Sequence, residues 1–545
     1  MMKRAKASRK WPRAIRCALW MFLAAAGSFR FAAAAEVPAW IGYKGDGSGV
    51  FRGAAPPATC DEAKGVNIKW KAALPNWGHG CPIVIGDRVF LTYEGGWGGH
   101  DFPVLLCLSA RGGKKLWELE LNHLSATSNG GVAKAWTDLL AEYRTHYTLF
   151  DQWATGDKAG AEKKWADMGC QFGGFKPGYG QLRSLKRPKQ DKAESGVFKK
   201  AGLMGETWQH GCGMGTSCFG FSYPTPVSEG EAIYVATAFG AFFRISLDGK
   251  PEWVKSYVGE LGEFCRNGRS PILYKGLLIS DVQGLVRAMD CKTGALKWSA
   301  KVETETWMSP VIVTAGGSDM LLCFNRKAFR LPDGKELKVE GGTDFGATTV
   351  VKYDERDVTF HTGGGEHGGW ENKGKCDTPP PSAVRWSLSG ETLKGKVLWS
   401  GIGGECFSGH VGLLYHQGKL YHRGLILEPL TGKVLAGNPK EKRGGLVESH
   451  HLFLVGGDKI YGLKEAQGGK GEDAAKAGLL LCYDLSGKKI GESILSNAPA
   501  SPEKQKQSVE QVGFRHWRFS YSCPFTIGDG CIYVRSYDYL WCIGK

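Results

Sequence analysis

The sequence predicts an all-β fold, an eight-bladed β-propeller in which each blade is a four-stranded antiparallel sheet. Two observations predict it: a strand–turn–strand pattern that recurs along the chain, and a composition with 79 glycines and 19 tryptophans in 545 residues. Short strands joined by tight turns need glycine at positions of positive φ and aromatic residues that pack between sheets. Repeated units that bury their faces only against like neighbours are propeller blades.

The recurring turn is clearest from Asp290 to Gly294, with Trp298 following. An Asp or Ser oxygen closes the turn, glycine supplies the positive φ, and the later Trp or aliphatic residue packs on the neighbouring sheet. Partial copies place this anchor residue at Trp117, Trp253, Leu337, Trp399, Leu435 and Ile490. Most spacings are about 40–50 residues, the length of one blade.

The two ends of the patterned region predict how the ring closes. Residues Cys523 to Lys545 supply only three strands, whereas Ile68 to Lys71 resembles a fourth strand that no turn precedes. The N-terminal strand is therefore expected to complete the last blade, which removes an open sheet edge. This gives eight blades. Seven remains the alternative, because residues 345–401 are weakly patterned.

Residues 1–35 indicate a cleaved secretory signal peptide. A basic segment precedes an apolar run from Cys17 to Gly27, and small residues follow as far as Ala35. The run is too short to span a bilayer, although an uncleaved anchor is the alternative. We therefore expect a bacterial periplasmic or secreted protein with no transmembrane segment in the mature chain.

The mature chain is modestly basic. Removing the eight basic residues of the signal lowers the 70 Lys and Arg to 62 against 54 acidic residues, a net charge of +8. Such a charge suits either an ordinary solvated surface or an anionic partner. No segment resembles a nucleic-acid-binding module.

The remaining chain divides into three predicted regions: a closing strand with the first blade (36–121), a helical and Gly-rich insertion (122–222), and the other blades (223–545). In the insertion, Trp136, Leu140, Tyr143, Tyr147, Phe150 and Trp153 step by three and four residues, which predicts an amphipathic helix. Asp157 is the expected N-cap of a second helix that carries Ala161, Trp165 and Met168 on one face. The aromatic stripe is expected to pack on the propeller, with a partner-binding helix as the alternative.

Sixteen cysteines in an exported chain suggest disulfides, but their positions predict packing. Cys107, Cys482 and Cys542 share one strand position with Ala288, which indicates a small buried group. Local bridges, Cys212 with Cys218 and Cys523 with Cys531, remain the alternative.

The segment from Asp290 to Trp298 resembles the D-x-x-T-G-x-x-x-W core of pyrroloquinoline-quinone (PQQ)-like propeller repeats. Residues Gly45 to Val50 and Trp77 to Pro82 are similar to exported bacterial members of that group. The resemblance covers most of residues 40–545, and it implies the propeller fold without choosing between quinoprotein alcohol dehydrogenases and BamB-type scaffolds. The dehydrogenases are expected to show an adjacent Cys-Cys pair, oxygen ligands for Ca²⁺ and a catalytic Asp. This chain has no such pair and no segment that matches the ligand set, so no cofactor is expected. PQQ or a divalent metal is the alternative.

A candidate site is predicted at one mouth of the channel, because polar and aromatic residues recur where blades begin. Its ligand-binding candidates are His79, Trp208, His210, Arg266, Trp307, His367, His410, His450, His451, His516 and Arg518. Its metal-ligating candidates are Glu366, His367, Glu405, His410, Glu448 and His450. His with Glu suits a metal or acid–base chemistry, but the same residues would also line a water-filled channel.

The leading hypothesis is a monomeric, non-catalytic propeller of the cell envelope that binds a protein or carbohydrate partner. The alternative is a PQQ-like or metal-dependent enzyme or ligand binder that uses the His/Glu/Trp cluster. Enzymatic activity is disfavoured by the missing dehydrogenase residues.

Overall fold

The computed structural model describes residues 41–95, 101–168, 222–258, 270–282, 284–302, 309–323, 326–343, 347–349, 357–362, 381–402, 413–422, 424–439, 453–465, 477–496 and 525–545. These residues are nearly all β, as predicted. The first strands are β1 (Val50–Phe51) and β2 (Ile68–Ala73). Among the described residues, seven four-stranded meanders and a final group of three strands follow in chain order, and two of the meanders are joined in one eight-stranded sheet.

The first three meanders follow one another without interruption by other sheets. They are β3 (Ile83–Ile85), β4 (Arg88–Gly95), β5 (Asp101–Ser109) and β6 (Lys115–Glu120); β7 (Val227–Ser228), β8 (Ala232–Ala236), β9 (Ala241–Ser246) and β10 (Pro251–Ser256); and β11 (Ile272–Tyr274), β12 (Leu277–Val282), β13 (Leu285–Asp290) and β14 (Leu296–Lys301). Each pairs antiparallel in chain order, so its first and fourth strands are the two edges of the sheet.

The later strands continue this arrangement. They are β15 (Val311–Ala315), β16 (Ser318–Cys323), β17 (Lys327–Arg330) and β18 (Glu336–Gly341); β19 (Ala347–Thr349), β20 (Val358–Thr362), β21 (Ser382–Ser389) and β22 (Thr392–Ser400); β23 (Leu414–His416), β24 (Lys419–His422), β25 (Leu425–Leu427) and β26 (Val434–Ala436); β27 (Phe453–Gly456), β28 (Lys459–Glu465), β29 (Ala477–Asp484) and β30 (Lys489–Ser496); and β31 (Phe525–Gly528), β32 (Cys531–Arg535) and β33 (Tyr539–Ile543). Strand β1 adds to the β27 edge in parallel.

The sheets are linked at their outer edges by one repeated contact, which we call the rim contact. An anchor tryptophan lies against the turn glycine of the next sheet, and its indole N–H donates to a backbone carbonyl there at 2.7–3.1 Å. A Cβ on any of these glycines would collide with the indole ring. The Trp/Gly pairs are Trp70/Gly113, Trp117/Gly249, Trp253/Gly294, Trp298/Gly334 and Trp399/Gly432. The predicted packing of these tryptophans on neighbouring sheets is confirmed.

The ring closes as the sequence predicts. Strand β2 pairs antiparallel with β33, and Trp70 lies opposite Cys542 in that ladder. The Trp70 indole donates to the carbonyl of Ala110 at 2.8 Å in the first meander. The closing sheet therefore joins the last strands to the first, and the fold is a β-propeller.

The predicted packing thiols are confirmed. Cys107, Cys482, Cys542 and Ala288 are fully buried. Cys107 lies opposite Trp117 and Ala288 opposite Trp298, so the ladder places a small residue beneath each large indole. Cys531 is a free thiol, so it does not form the bridge to Cys523 that the sequence left open; Cys523, Cys212 and Cys218 lie outside the described residues.

One junction departs from the pattern. Leu337 replaces tryptophan in the fourth meander, and no atom lies within 4 Å of where a Cβ on Gly390 of the next meander would be. Instead, β18 pairs in parallel with β22, which joins two meanders into one eight-stranded sheet. The blade count of eight, with seven as the alternative, stays a prediction.

Two predicted anchors were wrong. Leu435 is 48% exposed and Ile490 is 41% exposed, so neither is a buried anchor as the prediction requires. Both follow a turn of the predicted kind, but an aliphatic side chain at this position lacks the reach and the N–H donor with which tryptophan makes the rim contact.

The helical insertion contains a 3₁₀ turn (Leu124–Ala126), α1 (Gly130–Thr155) and α2 (Lys158–Asp167). Trp136 and Leu140 are buried against the first two meanders, which confirms the predicted packing for this part of the stripe. Asp157 caps α2 as predicted, and Ala161 and Trp165 are buried. Met168 was assigned to the same face wrongly, because α2 ends at Asp167 and Met168 is exposed.

The side chains of Tyr143, Tyr147 and Phe150 lie outside what the structure describes. The three predicted region boundaries stay predictions. Within the described ranges, no helix combines the length and the apolarity that crossing a bilayer requires.

Candidate functional site

The starts of neighbouring first strands are hydrogen-bonded to one another. The Cys81 N–H donates to Thr225 Oγ1 at 3.0 Å, and the Thr225 N–H donates to Ser270 Oγ at 3.0 Å. Ser309 Oγ then donates to the Ser270 carbonyl at 2.9 Å. Because the second strand of each meander runs antiparallel to the first, it ends at the same edge. We call this edge, where first strands begin and second strands end, the leading edge.

Buried polar residues mark the ends of the second strands. The residues in this position are Glu94 (β4), Asp281 (β12), His361 (β20), His422 (β24) and Arg535 (β32), and none is more than 6% exposed. Ionisable side chains are rarely buried to this extent unless they are paired or serve a function. The leading edge is therefore the candidate functional site.

His79 lies in an aromatic cluster at the leading edge. The hydroxyl of Tyr537 is 3.1 Å from His79 Nε2, and their rings meet edge to face at 5.3 Å. The indole of Trp77 lies 5.6 Å from the His79 ring, and the ring of Tyr223 lies 6.0 Å away. All four side chains are buried. The cluster joins segments from three places in the chain, and this fixes the imidazole.

Arg535 lies beside this cluster with its guanidinium fully buried. Its Nη1 donates to the Gly80 carbonyl at 2.6 Å. Burial lowers the pKa of Arg535 to about 10, and the nearby Glu94 carboxylate acts against that shift. The guanidinium remains charged at neutral pH. Its Nε and Nη2 have no hydrogen-bond partner among the described residues.

Glu94 holds the neighbouring segment in place. Its carboxylate accepts from the Ser222 N–H at 2.6 Å, and its own N–H donates to the Trp77 carbonyl at 2.8 Å. Thr92 Oγ1 donates to the Ser222 carbonyl at 3.0 Å. The start of the first meander, the end of β4 and the segment before β7 are thereby tied together by buried hydrogen bonds.

Gly78 is the point of closest approach in this cluster. A Cβ there would collide with Arg535 Nη2 and would lie 2.8 Å from the Thr92 carbonyl oxygen and 3.0 Å from Ser222 Oγ. Only glycine fits between these groups. Ser222 Oγ and Trp77 Nε1 are also buried without a hydrogen-bond partner in the described part of the chain.

Of the residues predicted for the channel mouth, the structure describes only His79, which lies at the leading edge. The others lie outside the described residues: Trp208, His210, Arg266, Trp307, His367, His410, His450, His451, His516 and Arg518. The metal-ligating candidates Glu366, Glu405 and Glu448 lie outside them as well. Among the described residues, no three His, Cys, Asp or Glu side chains are grouped to hold a metal ion. Convergence of the predicted set stays a prediction.

The sequence interpretation missed Glu94 and Arg535. A signal was present, because each ends an apolar run just before a turn, as in Cys531 to Arg535. Such a residue ordinarily points into solvent, and only the ring arrangement buries it. Chemically, the site combines unpartnered N–H and O–H groups that suit an anion with a His/Tyr pair that can hold or pass a proton.

No protein-family model matches the chain, and no curated protein matches it. The chain is similar to many solved structures, including the following three. BamB from Moraxella catarrhalis is 12% identical with a TM-score of 0.34, covering 58% of this chain and 80% of that one. The computationally designed Ika8 protein is 8% identical with a TM-score of 0.28, covering 57% of this chain and 93% of that one.

The third structure is the quinohemoprotein alcohol dehydrogenase from Comamonas testosteroni. It is 11% identical with a TM-score of 0.38, covering 94% of this chain and 82% of that one. BamB and this dehydrogenase are the two kinds of protein that the repeat motif resembles. At these identities and TM-scores the similarity concerns the fold only, and the fold assignment depends on the chain's own strand pairings and rim contacts.

Proposed function

We propose that this chain is an exported, non-catalytic β-propeller of the cell envelope that binds a protein or carbohydrate partner at its leading edge. The observation that supports the proposal most directly is the burial of an ionisable residue, of four different types, at or near the end of the second strand in five of the sheets. A position that served the fold alone would be expected to repeat one residue type, as tryptophan does at five of the rim contacts. Variation on a rigid frame is typical of a recognition surface.

The frame is well suited to binding because it is pre-organised. Hydrogen bonds between Cys81, Thr225 and Ser270 fix neighbouring blades, and the closed ring leaves little conformational entropy to be lost when a partner binds. The modestly basic mature chain favours anionic partners, such as acidic polysaccharides.

The binding test uses the mature chain and purified bacterial envelope glycans, titrated by calorimetry. We expect saturable binding that His79→Ala weakens at least tenfold and that Leu116→Ala, an exposed change in β6, leaves unchanged. Equal affinities for the wild type and His79→Ala would contradict a site at the leading edge. A cross-linking experiment with purified envelope proteins tests for a protein partner. It compares the wild type with the same two variants.

The same preparation tests the absence of catalysis. We expect no oxidation of alcohols or sugars when PQQ, Ca²⁺ and an artificial electron acceptor are supplied together. Turnover that requires PQQ would overturn the non-catalytic proposal.

Export is tested by expressing the full chain in a bacterium and sequencing the N-terminus of the periplasmic or secreted product. We expect the mature chain to begin at Glu36. Retention of residues 1–35 in a membrane fraction would favour the uncleaved anchor instead.

A second candidate function is favoured by the His79–Tyr537 pair. A buried imidazole that shares a hydrogen bond with a phenol at 3.1 Å could act as a general base. Under this alternative, Tyr537→Phe would abolish turnover of a substrate while leaving its binding nearly unchanged. Under the scaffold proposal, the same variant changes binding only.

A further inference from the structure

We propose that Arg535 is the anchor of a binding site for a small carboxylate, held between the segment around Gly78 and the end of β4. The proposal deepens the proposed function, because it names the chemical group that the leading edge recognises. It begins with the guanidinium itself, which is fully buried and uses one of its three nitrogens. Burying a charge is costly unless it is paired and hydrogen-bonded. Glu94 lies near enough to act on the guanidinium, but two of its three nitrogens have no hydrogen-bond partner among the described residues.

The pattern of used and unused nitrogens is informative. Nη1 donates to the Gly80 carbonyl, whereas Nε and Nη2 have no partner among the described residues. Nε and Nη2 form one edge of the planar group, and two parallel N–H donors on such an edge match the two oxygens of a carboxylate. The bond from Nη1 fixes the orientation in which this edge is presented.

Two further unpartnered groups belong to the same cluster. Ser222 Oγ lies beside the position of Gly78, as does Arg535 Nη2, and Trp77 Nε1 belongs to the residue that precedes Gly78. The indole N–H and the guanidinium can only donate, and the serine hydroxyl can also donate. A cluster in which donors outnumber acceptors is complementary to an anion.

Glu94 is not the anion that pairs with the free edge of the Arg535 guanidinium. Its carboxylate accepts from the Ser222 N–H, whereas the Arg535 guanidinium donates, among the described residues, to the Gly80 carbonyl. It lies close enough to influence the pKa of Arg535, so a second negative charge already lies nearby. A ligand with one negative charge is therefore favoured over a dianionic phosphate, which Glu94 would repel more strongly.

The aromatic rings suggest what carries the carboxylate. Trp77, Tyr223 and Tyr537 surround His79 next to the guanidinium, and small-molecule sites combine such apolar walls with a few fixed polar groups. A sugar acid offers both a carboxylate and a ring with apolar faces. Glucuronate is therefore the first probe, with acetate testing the carboxylate alone.

The experiment compares glucuronate, acetate, glucose and inorganic phosphate at equal ionic strength, using the mature chain in calorimetry and thermal-shift assays. We expect glucuronate to bind most tightly, acetate to bind more weakly, and glucose and phosphate to bind at least tenfold more weakly than glucuronate. Equal binding of glucose and glucuronate would overturn the inference while leaving carbohydrate binding intact. If glucuronate binds but no envelope glycan does, the carboxylate site would stand and the proposed binding of envelope glycans would be contradicted.

Arg535→Lys is the decisive variant. Lysine keeps the charge and can still reach an acceptor, but it lacks the two-pronged edge, so affinity for glucuronate should fall at least tenfold. Arg330→Lys is the matched control, because Arg330 pairs with Asp333 in an exposed turn and should leave affinity unchanged. Unchanged affinity in Arg535→Lys would overturn the proposal.

A second variant separates a binding role from a structural one. Arg535→Met removes the unpaired charge and loses one hydrogen bond, so the melting temperature without ligand should change by only a few degrees, while stabilisation by glucuronate disappears. A large loss of stability, together with no glucuronate binding by the wild type, would identify Arg535 as a structural residue and refute the site.

Discussion

At the rim, Trp70, Trp117, Trp253, Trp298 and Trp399 make the same contact with a glycine of the next sheet, whereas at the leading edge the second strands end in Glu, Asp, His and Arg. Both regions belong to the same blades and are built on the same strands. The rim repeats because every junction must solve the same packing problem. The leading edge varies because each side chain there meets different neighbours, such as Gly80 for Arg535 and Ser222 for Glu94.

This difference explains why fold and function leave different signals in one chain. A repeated contact produces a recurring motif, which sequence reasoning detects. A recognition surface on the same repeats is made of the positions that do not recur. The following variants test whether the rim carries the stability and whether the leading edge carries the ionisable chemistry.

The largest effect is expected for Trp70→Ala, which removes the rim contact at the ring closure. Loss of this buried indole should lower the free energy of unfolding by about 3–5 kcal/mol, measured by guanidinium denaturation. Leu435→Ala is the matched control, because this predicted anchor is exposed, and its effect should stay within about 0.5 kcal/mol. Similar losses in the two variants would show that the rim contact has no special role.

A smaller effect is expected for Gly294→Ala. The glycine has φ of +67°, and a Cβ would lie 2.8 Å from the Trp253 ring, so strain and overpacking together should cost about 3 kcal/mol. Gly390→Ala has a similar φ of +59° but open space around the added Cβ. It should lower the free energy of unfolding by only about 1–2 kcal/mol, which is the cost of placing alanine at a positive φ. If both variants lower the free energy of unfolding equally, the Trp253 ring can move to make room for the added methyl group at no measurable cost.

The smallest effect is a pH dependence at the leading edge. Burial lowers the pKa of His361 to about 3, and its Nε2 pairs with Thr359 Oγ1, which accepts from the Trp386 indole at 2.8 Å. Because the unfolded chain binds a proton near pH 6.5, stability is complete above that pH and is lost as the pH falls towards 3. Between pH 6.5 and 5 this residue should account for about 2 kcal/mol.

His361→Gln tests this by removing the titrating group. Its unfolding free energy should fall less than that of the wild type between pH 6.5 and 5, whereas Trp70→Ala should keep the wild-type pH dependence. An unchanged slope in His361→Gln would show that His361 is not protonated on unfolding in this range.

The sequence was sufficient to predict the features that repeat. The closure of Ile68 to Lys71 on the last strands followed from an unpaired strand at each end, and the buried small residues followed from their shared register. The anchors Leu435 and Ile490 were assigned wrongly because a local turn pattern does not reveal whether a side chain reaches the next sheet.

Arg535 and Glu94 were missed for a different reason. Their burial depends on neighbours from distant segments, namely Gly78 to Gly80 and Ser222, and no local pattern encodes that meeting. The parallel pairing of β18 with β22 likewise joins segments that are far apart in the sequence, from Lys338 opposite Thr392 to Gly341 opposite Gly395. Most residues predicted for the channel mouth remain to be tested.

The pairing of β2 with β33 also affects how the chain folds. Its two strands come from opposite ends of the patterned chain, so the entropy of closing a very long loop must be met before their hydrogen bonds form. Until then, β33 and β2 both present unpaired backbone groups to other chains. We therefore expect the pairing of β2 with β33 to be a slow step of folding, and the protein to be most prone to aggregation before these strands pair.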